Sequence, residues 1–113
     1  MKFVLHKGKA MVSQPMAGKP LAEITATRDK AIEDLRERGY DVINTLFPDA
    51  WYAKQELEKR GVVKIPLFYL AKSLEVMSQC SAVYFCKGWE NYRGCKIEHE
   101  AAKEYGLEII YEE

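Results

Sequence analysis

The amino-acid sequence predicts a single α/β domain built on a parallel β-sheet. Short apolar segments alternate along the chain with longer segments whose apolar residues recur at helical spacing, an order typical of strand–helix–strand units. The 113 residues suffice for one domain, and the apolar share of 48% is normal for a protein with a buried core. Because no repeat, low-complexity tract or linker interrupts the pattern, we expect residues 1–113 to form one domain, with 1–8 as an N-terminal extension.

The segments themselves are marked by ordinary start and stop signals. Pro20 stands where the first helix begins, a position that proline favours, and Gly39 stands where that helix is expected to end. Arg28 interrupts the apolar stripe of this helix. The predicted strands are residues 9–13, 40–46, 81–86 and 107–111. The predicted helices are residues 20–38, 50–60, 66–79 and 94–105.

These elements predict a small flavodoxin-like or Rossmann-like three-layer sandwich, with a parallel sheet of four to five strands in the order 2-1-3-4. Residues 81–86 (SAVYFC) are mostly apolar, which indicates a strand buried on both faces. In such sheets, ligands bind beyond the carboxyl ends of the strands, where the strand order reverses. We therefore expect the loops at 13–18 and 87–93 to face each other and to form the site.

Composition excludes several other classes of protein. Seventeen basic residues balance seventeen acidic ones, so the chain has no overall positive charge that would attract nucleic acid polymers or an anionic membrane. Because copies with no net charge repel each other only weakly, self-association is plausible. The sequence contains no apolar run long enough for a membrane span and no secretory signal. Its three cysteines are an odd number, which predicts reduced thiols and a cytoplasmic location.

The segment 88–98 contains the largest variety of potentially reactive side chains. Its aromatic, amide, arginine and carboxylate groups lie just before the last helix and in its first turns. Glu98 is expected near the first turn, where free backbone N–H groups and the helix dipole favour an ionised carboxylate. Helical spacing places it at the edge of an apolar row containing Ile97 and Tyr105, and turns His99 outward. Such a glutamate either acts as a nucleophile or merely stabilises the helix N-terminus.

Two motifs carry a family resemblance that spans residues 9–112. They are SQPMAGK at 13–19 and GWENYRGCKIEHE at 88–100, supported by ERGYDVI at 37–43 and YLAKSLEVM at 69–77. The sequence resembles a small family of bacterial and phage proteins that is similar to the nucleoside 2-deoxyribosyltransferase superfamily, which also contains the 2′-deoxynucleoside 5′-phosphate N-hydrolases. The resemblance implies a flavodoxin-like fold and cleavage of an N-glycosidic bond by hydrolysis or deoxyribosyl transfer.

The resemblance also implies roles for individual residues. Glu98, four residues after Gly94, would be the nucleophile of a retaining mechanism, and Glu90, Asn91 or Tyr92 would assist the departing base. It implies no cofactor or metal, and a homodimer or larger assembly whose neighbouring subunit completes the site. The predicted substrate-binding residues are Ser13, Gln14, Pro15, Met16, Gly18, Gly88, Trp89, Tyr92, Arg93 and Gly94.

Two other functions remain open at this stage. One is a nucleotide-binding or sensing module without turnover, because residues 79–81 (QCS) replace acidic residues of the related enzymes. The other is a structural or interaction protein. The run HEAAK at 99–103 lacks the second histidine of a zinc-protease helix, and the cysteines match no common zinc spacing. Cys95 is a weaker candidate nucleophile near a helix N-terminus.

Overall fold

Parallel strands form the centre of the molecule, which we describe from a computed structural model covering residues 6–43 and 54–113. The strands are β1 (Gly8–Ser13), β2 (Tyr40–Val42), β3 (Ala82–Phe85) and β4 (Glu108–Tyr111). The helices are α1 (Leu21–Glu37), α2 (Lys54–Lys59), α3 (Ile65–Met77) and α4 (Arg93–Glu104), and a short 3₁₀ helix spans Trp89–Asn91. The sheet order is β2-β1-β3-β4 with every pair parallel, which confirms the predicted fold class and strand order.

Side chains alternate between the two faces of the sheet and produce two apolar clusters. On one face Val12 and Tyr84 pack with Ala31 and Leu35 of α1. On the other face, Met11, Val83 and Phe85 pack with residues of α3 and α4 such as Met77 and Ala102. Each fully buried large apolar side chain contributes roughly 1.5–3 kcal/mol through burial, so β3, apolar toward both layers, anchors the three-layer arrangement.

The predicted element bounds agree with the structure to within a few residues. The loop predicted at 87–93 contains the 3₁₀ helix, and α4 begins at Arg93 rather than Gly94. The second strand ends at Val42 instead of 46, although residues 44–46 lie outside the described part of the chain. Residues 50–53 of the second predicted helix and residues 1–5 of the predicted extension also lie outside it. Gly39 ends α1 with a φ of 97°, a left-handed conformation that favours glycine.

Candidate active site

Ser13 and Glu98 meet at the carboxyl edge of the sheet. Ser13 is the last residue of β1, and Glu98 is the sixth residue of α4. The Ser13 hydroxyl donates a hydrogen bond of 3.0 Å to Oε1 of Glu98. Both residues are buried, with 1% and 8% of their surface exposed. The Glu98 carboxyl group thus lies at the edge where ligands of such sheets bind, and the Ser13 hydroxyl is the donor identified for it.

Burial changes the acidity of this carboxyl group. Removal of Glu98 from water raises its pKa from 4.5 to about 7, and the hydrogen bond from Ser13 opposes part of that rise. The expectation of a carboxylate kept ionised by the helix N-terminus is therefore wrong. Glu98 lies in the second turn, where the effect of the dipole has faded, and desolvation dominates. Near neutral pH, the protonated and ionised forms are both populated.

The row of α4 that faces the sheet differs from the predicted one. Cys95, Glu98 and Ala102 are buried, whereas Ile97 and Tyr105 are 44% and 85% exposed. Glu98 therefore belongs to the buried row itself instead of standing at its edge. The apolar character of Ile97 and Tyr105 had suggested the opposite, and the packing of α4 on β3 decides between the two rows.

The Cys95 thiol adjoins this pair. Burial raises the pKa of Cys95, while a hydrogen bond with the Ser13 side chain lowers it and the nearby Glu98 carboxyl raises it. Burial likewise raises the pKa of Cys86, which lies just beyond β3. Both thiols are consequently protonated at neutral pH, so Cys95, the weaker candidate nucleophile, has no electrostatic support in that role.

The two loops predicted to form the site contact each other. The Tyr92 hydroxyl donates a 3.3 Å hydrogen bond to the carbonyl oxygen of Ala17. Gly88 has a φ of 89°, which favours glycine, and a Cβ built there would lie 4.0 Å from Pro15. Gly18 also has a positive φ, at 79°, in the turn after Pro15. Strand order thus brings segments about 70 residues apart in sequence together, as the 2-1-3-4 arrangement predicts.

The remaining predicted site residues lie around this contact, and among the described residues none of them is identified as a hydrogen-bond partner of the Glu98 side chain. Gln14 is buried and donates to the Ile24 carbonyl, and its Oε1 has no hydrogen-bond partner among the residues that the structure describes. Met16 is 42% exposed. Glu90 and Asn91 are exposed on the 3₁₀ helix. No contact identified within residues 6–43 and 54–113 therefore brings an assisting acid to Glu98.

Trp89 takes part in an aromatic stack that the sequence analysis did not foresee. Its ring stacks on His99 with centroids 3.9 Å apart and planes inclined by 16°. His99 is also hydrogen-bonded to the Tyr111 hydroxyl at 2.7 Å and packs edge-on against Phe85. The prediction that His99 points outward is wrong, because α4 turns it onto β3 and β4. One face of the Trp89 indole is covered by His99 and is not free for a base.

Residues 9–111 match the family described as "Domain of unknown function (DUF4406)". The chain belongs to this family. No curated protein and no solved structure matches the chain. The DUF4406 domain extends from the second residue of β1 to the last residue of β4, and so includes Ser13, Glu98 and both loops.

Arg28 is a buried residue of the DUF4406 domain that sequence reasoning did not assign to the site. It is 5% exposed and shares the sheet-facing row of α1 with Ala31 and Leu35. Burial lowers its pKa, and the interaction with Cys86 opposes this shift. Its interruption of an apolar stripe was the available signal, because a buried cation is costly unless it is paired or functional.

A cavity of about 330 Å³ opens between α3 and α4. Its walls are Lys64, Pro66, Leu67 and Leu70 on the α3 side, and Arg93, Gly94 and Ile97 of α4. A volume of this size lies at the lower end of the range for small-molecule sites. Of the predicted binding residues, Arg93 and Gly94 line this cavity.

The described ranges of the DUF4406 domain contain neither a cluster of metal ligands nor a membrane-spanning helix. Among residues 6–43 and 54–113, no three His, Cys, Asp or Glu side chains converge as a metal site would require. In the same ranges, no helix has the length and apolar character needed to cross a membrane.

Proposed function

We propose that the DUF4406 domain cleaves the N-glycosidic bond of a nucleoside or nucleotide, with Glu98 as the nucleophile. The observation that carries the proposal is the contact between the Ser13 hydroxyl and the buried Glu98 carboxyl, 3.0 Å apart at the carboxyl edge of the sheet. The family resemblance assigns the same role to Glu98. A glutamate with a pKa near 7 supplies enough carboxylate to react at neutral pH.

The reaction would proceed in two displacements. An oxygen of the Glu98 carboxylate forms a bond to C1′ while the bond from C1′ to the base nitrogen breaks, and the electron pair leaves with the base, which takes up a proton. Water or a second base then attacks C1′, the ester bond breaks, and the carboxylate is regenerated. Two inversions give retention at C1′. The hydroxyl of Ser13 would orient the carboxylate and, through its hydrogen bond, stabilise the negative charge of the carboxylate before the first step and after the second.

Base release measured by chromatography tests the proposal. The purified protein is incubated with deoxynucleosides, ribonucleosides and their 5′-monophosphates, beside Glu98→Gln and the control Glu100→Gln, an exposed glutamate on the same helix. We expect base release by the wild type and by Glu100→Gln, and a loss of about a thousandfold or more in Glu98→Gln. Rapid acid quenching followed by intact-mass measurement should detect the glycosyl ester.

A nucleotide-binding module without turnover is the second candidate. It is favoured by one observation, namely that Glu90 and Asn91 are exposed and have no identified contact with Glu98 in the described residues. A departing base would then need its proton from elsewhere. Ligand-dependent thermal stabilisation without base release would support this function and refute the enzyme. Light scattering during chromatography would test the homodimer or larger assembly that the family resemblance implies.

A further inference from the structure

We propose that Cys95 is a positioning residue for Glu98 and acts on its carboxyl group through the Ser13 hydroxyl. The meaning of this role for catalysis rests on the proposed function, whereas its test requires no turnover. The proposal is carried by the arrangement of three buried polar side chains in which one hydroxyl proton has two acceptors.

The three side chains lie together at the carboxyl edge of the sheet. Cys95 and Glu98 are three residues apart on α4, and both belong to the buried row of that helix. The hydroxyl of Ser13, at the end of β1, donates to Oε1 of Glu98 at 3.0 Å and is also hydrogen-bonded to the Cys95 thiol. The exposed fractions are 1% for Ser13, 5% for Cys95 and 8% for Glu98. The three groups are largely removed from water and depend on one another for hydrogen bonds.

The Ser13 hydroxyl has one proton and two neighbours that can accept it. When Glu98 is ionised, this proton points to the carboxylate, because a hydrogen bond to a charged acceptor is the stronger one. The Cys95 thiol, which is protonated at neutral pH, then donates to the Ser13 oxygen. When Glu98 is protonated, its carboxyl group donates to Ser13, whose own proton turns to the Cys95 sulfur. The chain of hydrogen bonds thus reverses, and the only proton gained or lost is that of Glu98.

The two directions of this chain differ in strength. Toward an ionised Glu98, the thiol polarises the Ser13 hydroxyl and strengthens the hydrogen bond that stabilises the carboxylate. Toward Cys95, the hydroxyl meets a sulfur atom, which is a weak acceptor. Cys95 therefore favours the ionised form of Glu98, which is the form that attacks C1′ in the proposed reaction.

Charged groups elsewhere do not supply this effect. Among the described residues, burial and the Ser13 hydroxyl are the influences identified on the pKa of the carboxyl group. Arg28 of α1 and Lys19 just before that helix act instead on the thiol of Cys86, beyond β3. The Cys86 thiol interacts with Cys95, but burial raises its pKa to about 12, so it brings no charge to the chain at neutral pH.

Carbon NMR of the protein labelled at its glutamate carboxyl carbons measures the ionisation of Glu98, whose signal Glu98→Gln identifies. We expect Cys95→Ala to raise the midpoint of this titration by about half a pH unit, because Ser13 loses a donor, and Cys95→Ser to restore it. Ser13→Ala should give the same midpoint with and without Cys95→Ala, because Cys95 acts through the hydroxyl. Cys80→Ala is the matched control and should change nothing, since that thiol donates to the Val76 carbonyl at 3.4 Å.

The S–H stretching band in the infrared spectrum reports the direction of the chain. The band of Cys95 is identified by its loss in Cys95→Ala. We expect it to shift as the pH crosses the midpoint of Glu98, because the thiol changes from acceptor to donor. In Ser13→Ala the band should be independent of pH.

The outcomes separate this proposal from the proposed function. Midpoints and S–H bands that change as expected, without base release by the wild type, support the role of Cys95 and refute the enzyme. Base release with an unchanged midpoint in Cys95→Ala refutes the role of Cys95 alone. A midpoint shift that persists in the Ser13→Ala background also refutes it, because Cys95 would then affect only the burial of Glu98.

Discussion

Replacement of Glu98 by glutamine should make the protein more stable above neutral pH while abolishing its proposed activity. Glutamine has nearly the same shape and keeps an oxygen that accepts the hydrogen bond from Ser13. It removes the ionisation that burial makes unfavourable. Active-site groups commonly reduce stability in this way, because their chemistry requires a charge that the fold would otherwise avoid.

The size of the effect follows from the shift in acidity. Glu98 titrates near 7 in the folded chain, against 4.5 for a free glutamate. Between these values the folded protein holds a proton that the unfolded chain has lost, so the free energy of unfolding falls as pH rises toward 7. Each pH unit corresponds to about 1.36 kcal/mol, so the full loss above pH 7 is about 3 kcal/mol. For a chain of this size, that is roughly 10 °C in Tm.

Urea unfolding of the wild type, Glu98→Gln and the control Glu100→Gln at pH 5 to 8.5 measures this effect. We expect the advantage of Glu98→Gln over the wild type to be small near pH 5 and to grow to about 3 kcal/mol at pH 8.5. Glu100→Gln should follow the wild type, because Glu100 is exposed. Parallel stability curves for all three proteins would show that the Glu98 carboxyl is not desolvated and would refute the reasoning.

Three further predictions concern neighbouring groups. Ser13→Ala removes a hydrogen bond that lowers the pKa of Glu98, so the lower midpoint of a pH–rate profile should rise by roughly one pH unit; an unchanged midpoint would contradict that role. Gly94→Ala places a methyl group in open space on a helix, so chemical unfolding should show a gain of about 0.5 kcal/mol; a loss of stability would contradict the open space in front of this residue. Leu35→Ala, at a fully buried position, should cost about 2–5 kcal/mol in urea unfolding, and a smaller loss would mean that α1 packs less tightly than described.

Local chemistry was sufficient to predict most of the fold. The apolar run at 81–86 has no polar face, which only a strand covered by helices on both sides accommodates, and the structure places β3 in that position. Proline and glycine marked both ends of α1 for conformational reasons that do not depend on tertiary contacts. The same logic placed the two site loops together, because the carboxyl ends of parallel neighbours share one edge of the sheet.

The details of the site depended on packing that sequence spacing does not contain. Helical periodicity identifies two adjacent rows of α4 that could face the sheet. It does not determine whether the buried row contains Ile97 or Glu98, whose positions differ by about 100° around the helix. Docking of α4 on β3 made that choice, and it also stacked His99 on Trp89. Helical spacing relative to the apolar row of Ile97 and Tyr105 had indicated that His99 points outward.

By itself, the sequence determined the α/β class and the chemically rich segment 88–98, because these follow from local periodicity and from turn residues. The predicted strand order followed the pattern of flavodoxin-like sheets. Tertiary structure alone decided that Ser13, 85 residues away, donates to Glu98. It also decided the sign of the pKa shift. The helix dipole and desolvation act on the carboxyl in opposite directions, and only the depth of burial determines which is larger.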